Sequence, residues 1–100
     1  FPVAYALEFN EAHTNVTRHL FFLYDDYEAL GLFNDALQRA LVNVRAFPEA
    51  YPRTGKARRR FVFEFRSIPY VVLYAFDGEL IVLHDIHFAR SAQAAHWLSE

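Results

Sequence analysis

The stretch FVFEFRSIPYVVLYAFDGELIVLHDI, residues 61–86, decides the fold. Phe61, Phe63 and Phe65 alternate with Val62, Glu64 and Arg66, the period-two pattern of a strand with one buried face. Residues 70–76 form an almost unbroken apolar run, as expected of a central strand covered on both sides. Asp77-Gly78 follows, a pair that readily takes the positive φ angles of a two-residue hairpin turn. Residues 80–86 read as the returning strand. A three-stranded antiparallel meander is therefore expected.

Working outward, residues 3–9 read as a short first strand closed by Asn10 and Glu11. From Ala12 the period changes. Val16, Leu20, Leu23 and Tyr27 recur at helical spacing, with Asn10 suited to the N-cap. His13 stands where the Glu of a capping box would be, so the box is absent. Gly31 predicts the end of this helix. A second helix is expected over residues 32–46, with Phe33, Leu37, Ala40, Leu41 and Val44 on one face and Pro48 and Pro52 stopping it. So short a link between helices requires an antiparallel hairpin. Residues 51–56 read as a loop, and Ala92, Ala94, Ala95, Trp97 and Leu98 suit a short C-terminal helix. The predicted fold is α+β: strand, antiparallel helical hairpin, then a three-stranded antiparallel meander, as one domain over residues 1–100.

Hydrophobic residues make up 54% of the chain and aromatic residues 18%, which excludes a disordered chain. So many rings imply either a dense core or an aromatic surface kept for a partner. The absence of cysteine excludes disulfides and thiolate metal sites, and is compatible with the cytoplasm. No apolar run has the length of a membrane span, and no basic-then-apolar leader opens the chain. It starts on Phe1 rather than Met, so a few upstream residues are expected. The net charge of -2 does not suit a general nucleic-acid binder. The charges are unevenly spread, however. Arg53, Lys56, Arg58, Arg59 and Arg60 crowd one stretch; Asp25, Asp26 and Glu28 crowd another.

The order of motifs resembles the ParE/RelE superfamily of toxins from type II toxin–antitoxin systems, specifically its ParE-like plasmid-stabilisation branch. Pro48 follows the second helix; a Gly-containing loop and Arg58-Arg59-Arg60-Phe61 come next. Ile68-Pro69-Tyr70-Val71-Val72-Leu73-Tyr74 is similar to the family's F-P-Y-x-(I/V)-x-Y strand. His87-Phe88-Ala89-Arg90 resembles the H-x-R-R ending, and Trp97 the aromatic residue that often follows it. The likeness runs from about Val3 to Trp97. Two departures stand out: the first helix carries Phe21, Phe22 and Tyr24, and the tail lacks the second Arg of the R-R pair.

The resemblance implies a cytoplasmic toxin without cofactor or metal, neutralised by a cognate antitoxin and binding a target such as DNA gyrase. It implies neither a membrane partner nor sequence-specific DNA binding by the toxin alone. RelE-like relatives instead cleave messenger RNA with basic residues on the sheet. Those positions fall here on Val62, Glu64 and Val71, and an acid beside a scissile phosphate repels it. A binding inhibitor is therefore expected over a ribonuclease, and no catalytic residue is assigned. Two alternatives stay open: a ribonuclease using Arg66, His87 and Arg90, and a non-toxic interaction protein of the same fold. His84 and His87 fall on opposite faces of a regular strand, which argues against a shared site.

Candidate partner-binding residues follow, each with a plainer role beside it. Phe21 and Phe22 flank the helical stripe, either as a wide core face or as an apolar seat for the antitoxin. Arg58, Arg59 and Arg60 are either a solvated strand start or a dock for an acidic segment. Arg66 and Arg90 either clamp carboxylates of a partner or form internal ion pairs. His87 belongs to the same ending, and Trp97 is either a plug over the sheet or an interface anchor.

Overall fold

The computed structural model describes residues 1–98. Its elements run β1 (Val3–Tyr5), α1 (Leu7–Tyr24), α2 (Tyr27–Ala46), β2 (Arg53–Thr54), β3 (Arg58–Phe65), β4 (Ile68–Phe76), β5 (Ile81–Phe88) and α3 (Ala92–Leu98). The class is α+β. The sheet is mixed and has five strands, ordered β1-β5-β4-β3-β2. The expected meander is its centre. β1 adds a parallel edge on β5, and β2 adds a two-residue antiparallel edge within the expected loop.

The main core lies between the helical hairpin and one sheet face. Phe61, Phe63, Phe65, Tyr70, Val72, Tyr74, Ile81 and Leu83 point into it, as alternation dictates, and Ile86 joins them after a break in that alternation. From the helices come Phe9, Val16, Leu20, Phe33, Leu37, Leu41 and Val44. Val71 and Leu73 are also buried but stand outside this cluster, on the opposite face, as does Ala94 of α3. β4 is thus covered on both sides, which is why its sequence is continuously apolar.

The helix boundaries differ from expectation. α1 begins at Leu7, and Asn10 is inside it, donating its N–H to the Ala6 carbonyl at 3.1 Å. Phe9 belongs to the helical stripe with Val16 and Leu20, so the apolar run of residues 3–9 is shared between a strand and a helix start. Gly31 does not end α1; it sits inside α2, with open space where a Cβ would go. The turn is made by two aspartates instead. Asp25 takes the left-handed conformation (φ 49°) at the end of α1, and the Asp26 carboxylate accepts the Glu28 N–H at 2.9 Å, capping α2. Tyr27 therefore opens α2 rather than closing the first stripe.

Both hairpin turns of the meander are local. The Asp77 carboxylate accepts the N–H groups of Glu79 and Leu80, and Gly78 has φ +100°. Those backbone bonds hold the Asp77 carboxyl below its ordinary pKa. The β3–β4 turn is Arg66-Ser67, with φ of 52° and 67°, a two-residue turn built without glycine. Among the described residues, no helix is long and apolar enough to cross a membrane.

Candidate functional site

Strand β5 carries an irregularity that changes its side-chain parity. Tyr74 pairs with Leu83, but Leu73 pairs with Asp85, so His84 is an extra residue against β4. After this bulge Ile86 returns to the main core, and Asp85 and His87 point to the opposite, open face, where both stay partly exposed although α3 covers part of it. The bulge invalidates the regular alternation on which His84 and His87 were expected to face apart. Each histidine holds a carboxylate. His84 Nδ1 donates to Glu8 Oε1 at 2.7 Å, and His87 Nε2 lies 3.1 Å from Asp85 Oδ1. The bond from His84 holds the Glu8 carboxyl below its ordinary range, and the charge of Arg58, 3.8 Å away, acts in the same direction. Beside this pair, the Trp97 ring sits 5.3 Å from His87, and the Trp97 carbonyl accepts the Thr54 hydroxyl. Trp97 is thus seated on the sheet by α3, half-buried. Of the RelE-aligned positions, Val62 and Glu64 are exposed, whereas Val71 is buried.

A second region is the tip of the helical hairpin. Phe22 is 77% exposed, Tyr27 76% and Leu23 55%. Phe21 is half-buried and ties them together: its ring stands 4.6 Å from Tyr27 and 6.4 Å from Phe22. The acids Asp25, Asp26 and Glu28 surround these rings in sequence and are exposed. Arg66 also reaches this end. Its guanidinium lies over the Tyr24 ring at 4.3 Å and near Phe65 at 5.2 Å. Among the described residues it forms no internal ion pair; the stacking contributes about 0.5–1 kcal/mol at an exposed site.

The arginine run does not form one patch. Alternation sends Arg58 and Arg60 to the open face and Arg59 to the other. Arg60 is committed internally, donating to the Arg53 carbonyl at 2.9 Å and to Thr54 Oγ1 at 2.8 Å. Arg59 donates to the Tyr51 carbonyl at 2.8 Å. Arg90 is exposed beyond β5 and lines an apolar pocket of about 340 Å³ with Ile68, Pro69 and Phe88. Arg66, His87 and Arg90 hence occupy three different settings: an aromatic stack, a histidine–aspartate pair and a pocket rim.

Three contributors escaped sequence reasoning. Glu8 falls in the expected first strand, Tyr27 in the expected buried stripe, and Asp85 between two histidines expected to face apart. The helical spacing of Phe9, Val16 and Leu20 was a usable signal for the first. The bulge left none. Among the described residues, no three His, Asp or Glu side chains are grouped to hold a metal ion. Compared with known proteins, the chain matches no family model and no curated protein.

Proposed function

We propose that this chain is the toxin of a toxin–antitoxin pair, a ParE-like protein that acts by binding its target and is silenced by a cognate antitoxin. The observation that carries the reading is the aromatic tip of the helical hairpin. Three large apolar side chains, Phe22, Leu23 and Tyr27, stand mostly in solvent around Phe21. Large exposed rings clustered on a helix pair suit an amphipathic segment of a partner. Asp25, Asp26 and Glu28 beside them favour a segment carrying Lys or Arg next to its apolar anchors. The strand, helical hairpin and antiparallel strands in that order support the same reading. The resemblance supplies the target, DNA gyrase.

Expression of the chain alone is expected to arrest growth, and co-expression of the protein encoded beside it to restore growth. The purified chain is expected to inhibit supercoiling by gyrase. Phe22→Asp is expected to weaken antitoxin binding by about 2 kcal/mol or more, as loss of a central interface anchor does. Unimpaired growth on overexpression removes the toxin reading and leaves the non-toxic interaction protein. Unchanged supercoiling at saturating protein removes gyrase.

The bulge in β5 favours one rival. It brings Asp85 and His87 to the open face, where the His84–Glu8 pair lies within reach of Arg58. Two histidines with carboxylate partners and a cation supply what transfer of a 2′-hydroxyl to phosphorus needs: a base, an acid and charge stabilisation. Ribosome-dependent cleavage of a reporter message that is lost in His87→Ala selects this ribonuclease reading; absence of cleavage eliminates it.

A further inference from the structure

At the end of the sheet away from the Arg66-Ser67 turn, two pockets share a wall. One, of about 310 Å³, is lined by Phe1, Phe47, Pro48, Glu49, Ala50 and Phe76. The other, of about 150 Å³, is lined by Arg53, Ala57, Arg58 and Arg59, again with Glu49 and Phe76. Glu49 and Phe76 thus line both a mainly aromatic pocket and an arginine-lined one. Phe1 and Phe76 meet edge to face at 4.8 Å, and Phe47 is 67% exposed.

Among the described residues, two of the three arginines are held only by backbone carbonyls, and the third, Arg58, faces Glu8. Arg59 donates to the Tyr51 carbonyl and Arg53 to the Lys56 carbonyl at 3.4 Å, each through one nitrogen. A guanidinium has five N–H donors, so most remain for a ligand. Arg58 forms an exposed ion pair with Glu8 at 3.8 Å without a hydrogen bond, so its N–H donors also remain open. Three arginines against Glu49 in the lining, with Glu8 beside Arg58, leave the small pocket net positive.

We infer that this double cleft binds a nucleotide, the aromatic chamber taking the base and the arginine pocket its phosphate. A carboxylate has two oxygens and one charge, which one guanidinium satisfies. A phosphate monoester carries about -1.5 to -2 charges near pH 7 and three acceptor oxygens, which matches three arginines. Bases stack on exposed phenyl rings whatever their sequence. Glu49, on the shared wall, is placed to accept from a sugar hydroxyl or an exocyclic amine. The same chemistry exists in a free mononucleotide and in the phosphorylated end of a single strand. The inference does not depend on the toxin reading.

Adenosine 5′-monophosphate is the probe, titrated into the full chain and followed by amide chemical shifts. Saturable shifts are expected at Glu49, Arg53, Arg58 and Phe76. Phe47→Ala and Arg53→Gln, both at exposed positions, are each expected to weaken binding about tenfold, as is removal of the phosphate in adenosine. Spectra of both variants away from the cleft should match the parent, which separates lost binding from lost fold. No saturation at millimolar probe, or affinity unchanged in both variants, overturns the inference. So does equal affinity and equal sensitivity to the two substitutions for the peptide acetyl-Trp-Glu-Glu-amide, which would make the cleft a peptide dock. A 5′-phosphorylated oligothymidylate separates the two nucleotide sources. Tighter binding than the monophosphate assigns the site to strand ends, and weaker binding to free nucleotides, and either outcome supports the inference.

Discussion

Phe33→Ala is expected to destabilise the fold by about 3–5 kcal/mol, whereas Phe22→Ala should stay within about 0.5 kcal/mol of the parent. The two residues lie on adjacent helices and have the same side chain, so burial alone decides the difference. Phe33 has no exposed surface; its ring packs on Phe63 at 5.5 Å, Phe65 at 5.6 Å and Tyr70 at 5.0 Å. It is the point where α2 meets β3 and β4. Truncation removes the transfer energy of a phenyl group and leaves a cavity that three other rings cannot close without leaving their rotamers. Domains of this size are stable by about 5–15 kcal/mol in total, so the loss lowers the melting temperature by roughly 15–30 °C. Urea unfolding followed by circular dichroism measures both variants. A Phe22→Ala cost comparable to that of Phe33→Ala would mean that the hairpin tip is core, and the proposed docking surface would lose its basis.

That contrast also shows what could be read from the sequence. Phe33 was legible as core because it shares a helical stripe with Leu37, Leu41 and Val44. Phe61, Phe63 and Phe65 were legible because strand alternation is strict and one face is covered. The ends of α1 were not. Residues 3–9 are too short for period two and period 3.6 to be told apart, and Phe9 satisfies both. The interhelical turn was assigned to Gly31 because glycine is the commonest left-handed residue at helix ends, but Asp25 takes that conformation here and Asp26 caps the next helix. The consequence was functional: moving the turn back to Asp25 puts Tyr27 beside Phe21 at an exposed tip. The open face was the least legible. A single extra residue in β5 reverses the side of everything after it, and nothing in Leu83-His84-Asp85 announces it. The clefts at the far end were equally hidden, since Phe1, Phe47 and Phe76 converge from three separate segments.

Tyr70→Phe and Tyr74→Phe remove the same atom from two positions on the same face of one strand and are expected to act in opposite directions at neutral pH. Both side chains are fully buried. The Tyr74 hydroxyl donates to the Pro48 carbonyl at 2.6 Å. Deleting it leaves a buried acceptor without its donor, at a cost of about 1–3 kcal/mol. It also frees the segment after α2, where Phe47, Pro48 and Glu49 wall the proposed nucleotide cleft, so weaker binding of the monophosphate should accompany the lost stability. The Tyr70 hydroxyl is buried with no hydrogen-bond partner among the described residues. Its removal should be neutral or stabilise by about 1 kcal/mol, because an unpaired polar group is withdrawn from the core. At alkaline pH the two variants share one response, and the offset between them persists. Burial pushes both hydroxyls up from the ordinary 10 to about 12; Tyr24 adds to this at Tyr70, and Arg59 partly opposes it at Tyr74. A raised pKa in the folded state favours the neutral phenol, so this contribution is complete below pH 10 and is lost as pH rises from about 10 through about 12. Each substitution deletes one of the two groups and should remove about half of the tyrosine-dependent fall in melting temperature across that window. An alkaline limb identical in the parent and both variants would place the titrating groups elsewhere. Destabilisation by Tyr70→Phe as large as that by Tyr74→Phe would require a partner for the Tyr70 hydroxyl that the fold does not provide among the described residues.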